Sequence, residues 1–149
     1  MRFCFYLLFM ISVVISSVAQ ATLGESETSV SLDVRALATT SWLTQEQNLR
    51  VHQIKLPTQQ IRQYVNGQGV IFAVTWQGAV LPPMGQLLGR YFPEYSTALA
   101  TRVRVPGQRY LQLSTPALQV RQQGPLMHLH GVAYLPEQVP AGLSVESLP

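Results

Sequence analysis

Two histidines have a spacing that suits a metal ion. His128 and His130 lie two positions apart in Leu126–Leu135 (LMHLHGVAYL), a segment typical of a long β-strand. Because residues i and i+2 of a strand point to the same face, both imidazoles would reach one ion. Zinc needs a third and usually a fourth ligand, and His52 is the candidate for the third. Since acidic residues are sparse, we favour two solvent-facing imidazoles on an exposed strand and predict no cofactor.

Nucleophilic catalysis has little support in the sequence. The single cysteine is Cys4, and neither G-x-S-x-G nor S-x-x-K occurs. Glu94 is the one acid between Arg50 and Arg121, which leaves a small envelope hydrolase built on this carboxylate as an alternative. Because no set of nucleophile, base and orienting group can be assembled, we predict no catalytic residue and favour a protein that is not an enzyme.

Aromatic side chains and one arginine make up the candidate binding surface. Trp76, Tyr91 and Phe92 flank a loop that contains two prolines, and such a loop beside a helix suits a peptide, a glycan or a lipid tail. The full candidate set consists of Arg62, Tyr64, Trp76, Tyr91 and Phe92. The favoured alternative is that most of these rings belong to the core, because aromatic residues bury large areas.

The elements that must position these residues are mostly strands. Val70–Trp76 is a nearly continuous run of β-forming apolar residues, which predicts a central strand buried on both faces. Asn66-Gly67 before it predicts a tight turn, because both residues accept a positive φ. Further strand patterns are Val51–Leu56, Ile61–Val65, Arg102–Val105, Tyr110–Leu113, Leu118–Arg121 and Leu126–Leu135.

Helical spacing is clearest in Met84–Tyr91, where Pro83 is placed to start a helix. For Glu27–Leu37 a short helix is favoured over a strand, and Thr39–Gln47 is predicted to be a connection. The order of elements predicts an α+β fold, with an antiparallel sheet of about five to six strands and one or two helices packed on one face.

The first 21 residues have the parts of a cleavable signal peptide. Arg2 gives a positive start, Phe3–Val14 is apolar, and Ala19-Gln20-Ala21 fits a signal-peptidase site, so cleavage is expected after Ala21. The apolar run is roughly a dozen residues, short of the ~20 of a membrane-spanning helix, so an uncleaved anchor is the weaker alternative. We expect residues 22–149 to form a single globular domain in the periplasm, with no transmembrane segment in its mature form.

Basic residues concentrate in the middle of the chain. From Arg50 to Arg121 there are eight basic residues and one acid. This excess predicts attraction to an anionic envelope component, such as lipopolysaccharide or phospholipid, or to an unidentified envelope protein. Because the bases are scattered singly along strands, a solvated sheet face is the favoured alternative. Nucleic acid is not an expected partner, since the sequence has no basic stripe or known binding motif.

Several motifs follow one another along the chain. They are Leu23-Gly24, V-H-x-I-x-L-P at residues 51–57, R-x-Y-V-x-x-x-G-x-[IV]-F-x-V-x-W-x-G at residues 62–78, Pro82-Pro83 with Leu87-Leu88-Gly89 and Tyr91-Phe92, and G-x-A-Y-x-P at residues 131–136. As a set they resemble a bacterial family of exported proteins, domain of unknown function 2844. The resemblance covers nearly the whole mature chain, implies a secreted or periplasmic setting, and carries over no activity or site. We therefore expect a non-enzymatic periplasmic accessory or binding module, with a His-x-His metal-binding protein and a small hydrolase as alternatives.

Overall fold

A computed structural model describes residues 23–27, 40–46, 49–103, 105–125 and 127–148 of the chain. Within these ranges, seven strands form one antiparallel sheet in the order β1-β2-β3-β4-β7-β6-β5. The strands are β1 (Thr40–Glu46), β2 (Leu49–Lys55), β3 (Gln59–Val65), β4 (Ile71–Gly78), β5 (Tyr110–Ser114), β6 (Gln119–Gln123) and β7 (Leu129–Tyr134). The helices are α1 (Met84–Leu88) and α2 (Phe92–Thr101), joined by a 3₁₀ turn at Gly89–Tyr91. The predicted α+β class with an antiparallel sheet is confirmed.

The sheet consists of two meanders that meet at its centre. Strands β1 to β4 follow one another, each antiparallel to the next. The chain then passes through α1 and α2 to β5 at the far edge, and it returns through β6 to β7, which pairs with β4. Every residue from Ile71 to Trp76 is buried, so the central strand predicted from the apolar run is confirmed.

The β3–β4 turn depends on the side chain of Asn66. Its Oδ1 accepts hydrogen bonds from the backbone N–H groups of Gln68 and Val70, both at 3.0 Å. Gly69 has the positive φ of this turn (77°), whereas Asn66 and Gly67 do not have one. A turn therefore forms where Asn-Gly predicts it, but the predicted reason was wrong. The side-chain amide, acting as an acceptor, holds the turn.

The helices cover one face of the sheet. Met84, Leu87 and Leu88 of α1 and Tyr95 of α2 pack on side chains of β3, β4, β6 and β7. The first three lie on one side of α1 because their spacing is i, i+3, i+4. Leu23 joins the same core with no exposed surface, and its N–H donates to the carbonyl oxygen of Leu87 at 3.1 Å. Each fully buried aliphatic side chain of this kind contributes about 1.5–3 kcal/mol.

Trp76 lies on the helix-covered face and is 2% exposed. Its cross-strand partner is Gly131 of β7, and the indole occupies the space where a Cβ at position 131 would lie. The absence of a side chain at Gly131 thus lets the tryptophan pack directly against the β7 backbone, at the joint between the two meanders.

The C-terminal segment covers part of the opposite face. It follows β7 through 3₁₀ turns at Pro136–Gln138 and Val145–Ser147, and Asn66 Nδ2 donates to the carbonyl oxygen of Gln138 at 3.3 Å. Val139, Leu143 and Leu148 of this segment, together with Tyr134 of β7, pack on a buried cluster. The cluster consists of Leu49, Val51, Tyr64, Phe72 and Ala73. The uncovered remainder of this face, formed by alternate side chains of β3 to β7, is called the open face below.

Two segments differ from their predicted structure. Thr40–Glu46 is a strand where the sequence predicts a connection, because it pairs along its whole length with β2, a tertiary effect that its polar composition does not signal. Val103 and Val105 lie in a connection where the sequence predicts a strand. Val103 is 81% exposed, with no neighbouring strand to cover it. Residues 1–21 and 28–37, predicted as signal peptide and helix, lie outside the described ranges. No helix within those ranges is long and apolar enough to cross a membrane.

The Trp76–Gly131 contact gives a test of the central packing. Gly131→Ala is expected to lower the free energy of unfolding by about 1–3 kcal/mol through overpacking. The new methyl group would overlap the indole and lie 2.7 Å from the carbonyl oxygen of Arg121. Gly85→Ala is the matched control, since its Cβ would meet nothing within 4 Å and lies in α1, where alanine is favoured over glycine. Equal stability of the two variants in urea unfolding would contradict this packing.

Burial of Tyr95 gives a test at alkaline pH. The burial raises the pKa of the Tyr95 hydroxyl above its ordinary value of 10.0. The folded state then holds the proton more tightly than the unfolded chain does, so the free energy of unfolding falls as the pH rises above about 10. Tyr95→Phe removes the titrating group and should make this fall shallower, whereas Tyr110→Phe, at a ring that is 55% exposed, should not. Identical pH profiles for Tyr95→Phe and the unsubstituted protein would show that the group does not titrate differently on folding.

Candidate functional site

The predicted metal ligands lie on two different faces. His130 is on β7 with its side chain on the open face, and His128 is exposed just before that strand. His52 of β2 lies opposite Gln63 of β3, whose β4 partner is Val74 of the helix-side core. Because directly opposite residues share a face, the structure does not bring His52 to the other two. Within the described ranges, no group of three or more His, Cys, Asp or Glu is arranged to hold a metal ion.

His52 instead binds the N-terminal segment. Its Nε2 lies 3.0 Å from Oε1 of Glu27, and Arg50 forms an ion pair with the other oxygen of the same carboxylate. The side chains of His52 and Glu27 are about four-fifths buried. Together these contacts hold the segment that contains Leu23 against β2, which is a structural role.

The aromatic candidates are also divided between the two faces. Trp76 lies in the helix-side core, with Tyr91 partly buried against it, while Phe92 is 38% exposed and its ring centroid is 6.1 Å from that of Tyr95. Tyr64 is 1% exposed in the cluster on the opposite face. Arg62, two residues before Tyr64 in β3, shares its face. The structure therefore does not bring the five residues of the candidate set to one surface.

Glu94, the carboxylate of the hydrolase alternative, lies in the first turn of α2. A carboxylate at this position interacts favourably with the partial positive charge of a helix N-terminus. The residue belongs to the helix side of the sheet, away from the open face.

A groove with a cavity volume of about 450 Å³ lies on the open face. Strands β3 to β7 form its floor, and the C-terminal segment forms one wall with Val145, Glu146 and Leu148. We call it the open-face groove. Most of its side chains come from two rows of residues that lie opposite one another across the sheet.

The first row places two guanidinium groups on either side of a shallow floor. Its members, from β3 to β5, are Arg62, Thr75, Val132, Arg121 and Gln112. Neighbouring strands lie about 4.8 Å apart, so the backbones of Arg62 and Arg121 are separated by about 14 Å. Thr75 and Val132 between them are short, and Arg62 forms no ion pair with any described residue.

The second row carries mainly amide side chains. Its members, from β3 to β5, are Gln60, Gln77, His130, Gln123 and Tyr110. Nε2 of Gln60 donates to Gln53 at 3.2 Å, while Gln77 and Gln123 are exposed. Tyr110 is 55% exposed at the end of the row. The row thus presents hydrogen-bond donors and acceptors beside an accessible ring.

Glu146 binds the guanidinium group of Arg121. Its Oε1 accepts a hydrogen bond from a terminal nitrogen of Arg121 at 2.8 Å, which raises the pKa of Arg121. Nε of the same arginine is buried and has no hydrogen-bond partner among the described residues. Arg121 is therefore only partly satisfied by the protein itself.

Apart from Arg62 and His130, most of the groove residues were missed by the sequence analysis. The available signal was the alternation of glutamine and arginine with apolar residues in Gln60–Arg62, Leu111–Leu113 and Gln119–Gln123. That alternation predicts a polar sheet face, which the structure shows. It does not reveal that β3 and β6 lie on either side of β4 and β7, which is what turns scattered polar residues into one groove.

A family model described as a protein of unknown function (DUF2844) matches residues 19–148. No curated protein and no solved structure matches the chain.

The separation of His52 from His128 and His130 gives a prediction about zinc binding. A ligand that binds only the folded state raises the melting temperature by mass action. Because His128 and His130 have no third ligand among the described residues, an excess of Zn²⁺ should leave the melting temperature unchanged. A rise that His130→Gln abolishes, but His52→Gln leaves in place, would instead establish a metal site on the open face.

Proposed function

We propose that this chain, which belongs to the DUF2844 family of proteins of unknown function, is an exported, non-enzymatic module. In this proposal it binds an envelope component through the open-face groove. The observation that carries the proposal is the groove itself. It has a cavity volume of about 450 Å³ on a sheet face that neither the helices nor the C-terminal segment fills. A concavity of this size falls in the range that is typical of ligand sites.

A binding role is favoured over catalysis by the groups in the groove. Its described lining contains one carboxylate, Glu146, which is paired with Arg121. His130 also lines the groove, but no described residue forms a hydrogen bond that would orient its imidazole. General acid–base chemistry needs such an oriented pair, whereas recognition needs only donors, acceptors and charge.

Export is supported by the sequence of the first 21 residues, and burial of Leu23 is compatible with cleavage just before it. Leu23, two residues after the expected cleavage site, is fully buried, and Gly24 N–H donates to the carbonyl oxygen of Ile71 at 2.8 Å. A cut after Ala21 therefore keeps Leu23, Gly24 and Glu27, which attach this segment to the rest of the fold.

The processing step has a direct readout. Protein isolated from the envelope fraction of producing cells should have the intact mass of a chain that starts at Thr22. A mass that retains residues 1–21 would contradict cleavage and favour the uncleaved anchor.

The binding surface is tested by cross-linking capture with charge-matched variants. Arg62→Gln is expected to reduce capture of the main envelope partner by about tenfold, because charge-assisted hydrogen bonds contribute about 1.5–3 kcal/mol each. Lys55→Gln is the matched control, since it removes the same charge from an exposed residue outside the groove lining. Thermal melting of both variants verifies folding. Equal capture by the two folded variants would show that the groove is not the binding surface.

A further inference from the structure

We propose that the open-face groove binds a carboxylated oligosaccharide, and that Glu146 occupies the Arg121 end of that site in the free protein. This inference rests on the proposed function and adds the ligand class. Three features of the groove carry it: its row of amides, its two separated guanidinium groups and its internal carboxylate.

The amide row suits a ligand rich in hydroxyl groups. Each glutamine side chain offers two N–H donors and a carbonyl acceptor, which matches hydroxyls that both donate and accept. Gln77 and Gln123 of this row are exposed in the groove, as is Gln112 of the first row, so their side-chain amides are available. Tyr110 adds an exposed ring with a polar hydroxyl, on which the C–H face of a sugar can pack.

The guanidinium groups add selectivity for carboxylates. Arginine binds a carboxylate through two parallel N–H···O hydrogen bonds, and Arg62 has no ion-pair partner in the described part of the chain. The backbones of Arg62 and Arg121 are about 14 Å apart, so the two arginines suit an extended ligand that bears a separate acidic group for each of them.

Glu146 shows that the Arg121 end accepts a carboxylate. Its Oε1 is 2.8 Å from the guanidinium, yet its side chain is 74% exposed, and ion pairs in such settings are weak. The pair also leaves the buried Nε of Arg121 without a partner. A carboxylate that bridges Nε and a terminal nitrogen would satisfy both donors, so a ligand can replace Glu146 with a gain in hydrogen bonding.

An acidic peptide fits the groove less well. Peptides that add to sheets bind through main-chain hydrogen bonds at a strand edge, whereas this groove lies across the face of β3 to β7. Its apolar lining side chains on this face are few, mainly Val132, Val145 and Leu148, which leaves little to hold the side chains of a peptide.

The test is calorimetric titration of the mature protein, isolated from the envelope fraction, with tetragalacturonic acid. Neutral maltotetraose and a tetraglutamate peptide serve as comparison ligands. The acidic sugar should bind at least tenfold more tightly than either. Arg62→Gln and Arg121→Gln should each weaken it about tenfold, as expected for loss of a charge-assisted contact, and Lys55→Gln should change it less than about twofold.

Glu146→Gln is the diagnostic variant, because it removes the carboxylate that binds Arg121 and so leaves this guanidinium available to the ligand. It should tighten binding of tetragalacturonic acid by about threefold to tenfold and leave the melting temperature nearly unchanged, as expected for an exposed ion pair. Weaker binding by this variant would overturn the competitor role.

Equal binding of maltotetraose would overturn the requirement for carboxylates, and tighter binding of the peptide would overturn the carbohydrate class. If no oligosaccharide binds while Arg62→Gln still reduces envelope capture about tenfold, the ligand class is wrong and the proposed function stands. If Arg62→Gln leaves capture intact as well, both fall.

Discussion

The pairing of β4 with β7 is the interaction on which the rest of the structure depends. It joins two meanders that are each local in sequence, and six consecutive residues of β4 are buried there. Trp76 reinforces the joint by covering Gly131 on the helix side. On the other side, the same pairing sets Thr75 beside Val132 and so brings the arginines of β3 and β6 to the two borders of one groove. Fold and candidate site therefore share one cause.

The two faces of the sheet have different tasks because their side chains differ. Alternation along β3, β6 and β7 sends Ile61, Val120 and Ala133 to the helices and polar residues to the other side. The C-terminal segment then covers only part of that polar side, over Tyr64 and Phe72, and leaves the rest concave. Burial of the amides and guanidiniums without partners would be unfavourable, so an open groove is the arrangement that keeps these groups accessible to solvent.

The sequence predicts the local features well, since their causes lie within a few residues. The apolar run of β4, the turn after β3 and the start of α1 at Pro83 are of this kind. It does not predict β1, whose polar residues become a strand only by pairing with β2. The candidate site could not be predicted from the sequence for the same reason. Trp76 and Arg62 lie on neighbouring strands, but the register puts them on opposite faces. The contact between Glu146 and Arg121 depends on the path of the C-terminal segment.

The most direct test of the central claim is an NMR titration that follows the side-chain amide signals of the glutamines as tetragalacturonic acid is added. The account predicts that Gln77, Gln112 and Gln123 of the groove shift with one common dissociation constant, while Gln86 of α1, on the far side of the sheet, does not. Shifts confined to Gln86 and its neighbours in α1 and α2 would contradict it and place the binding surface on the helices.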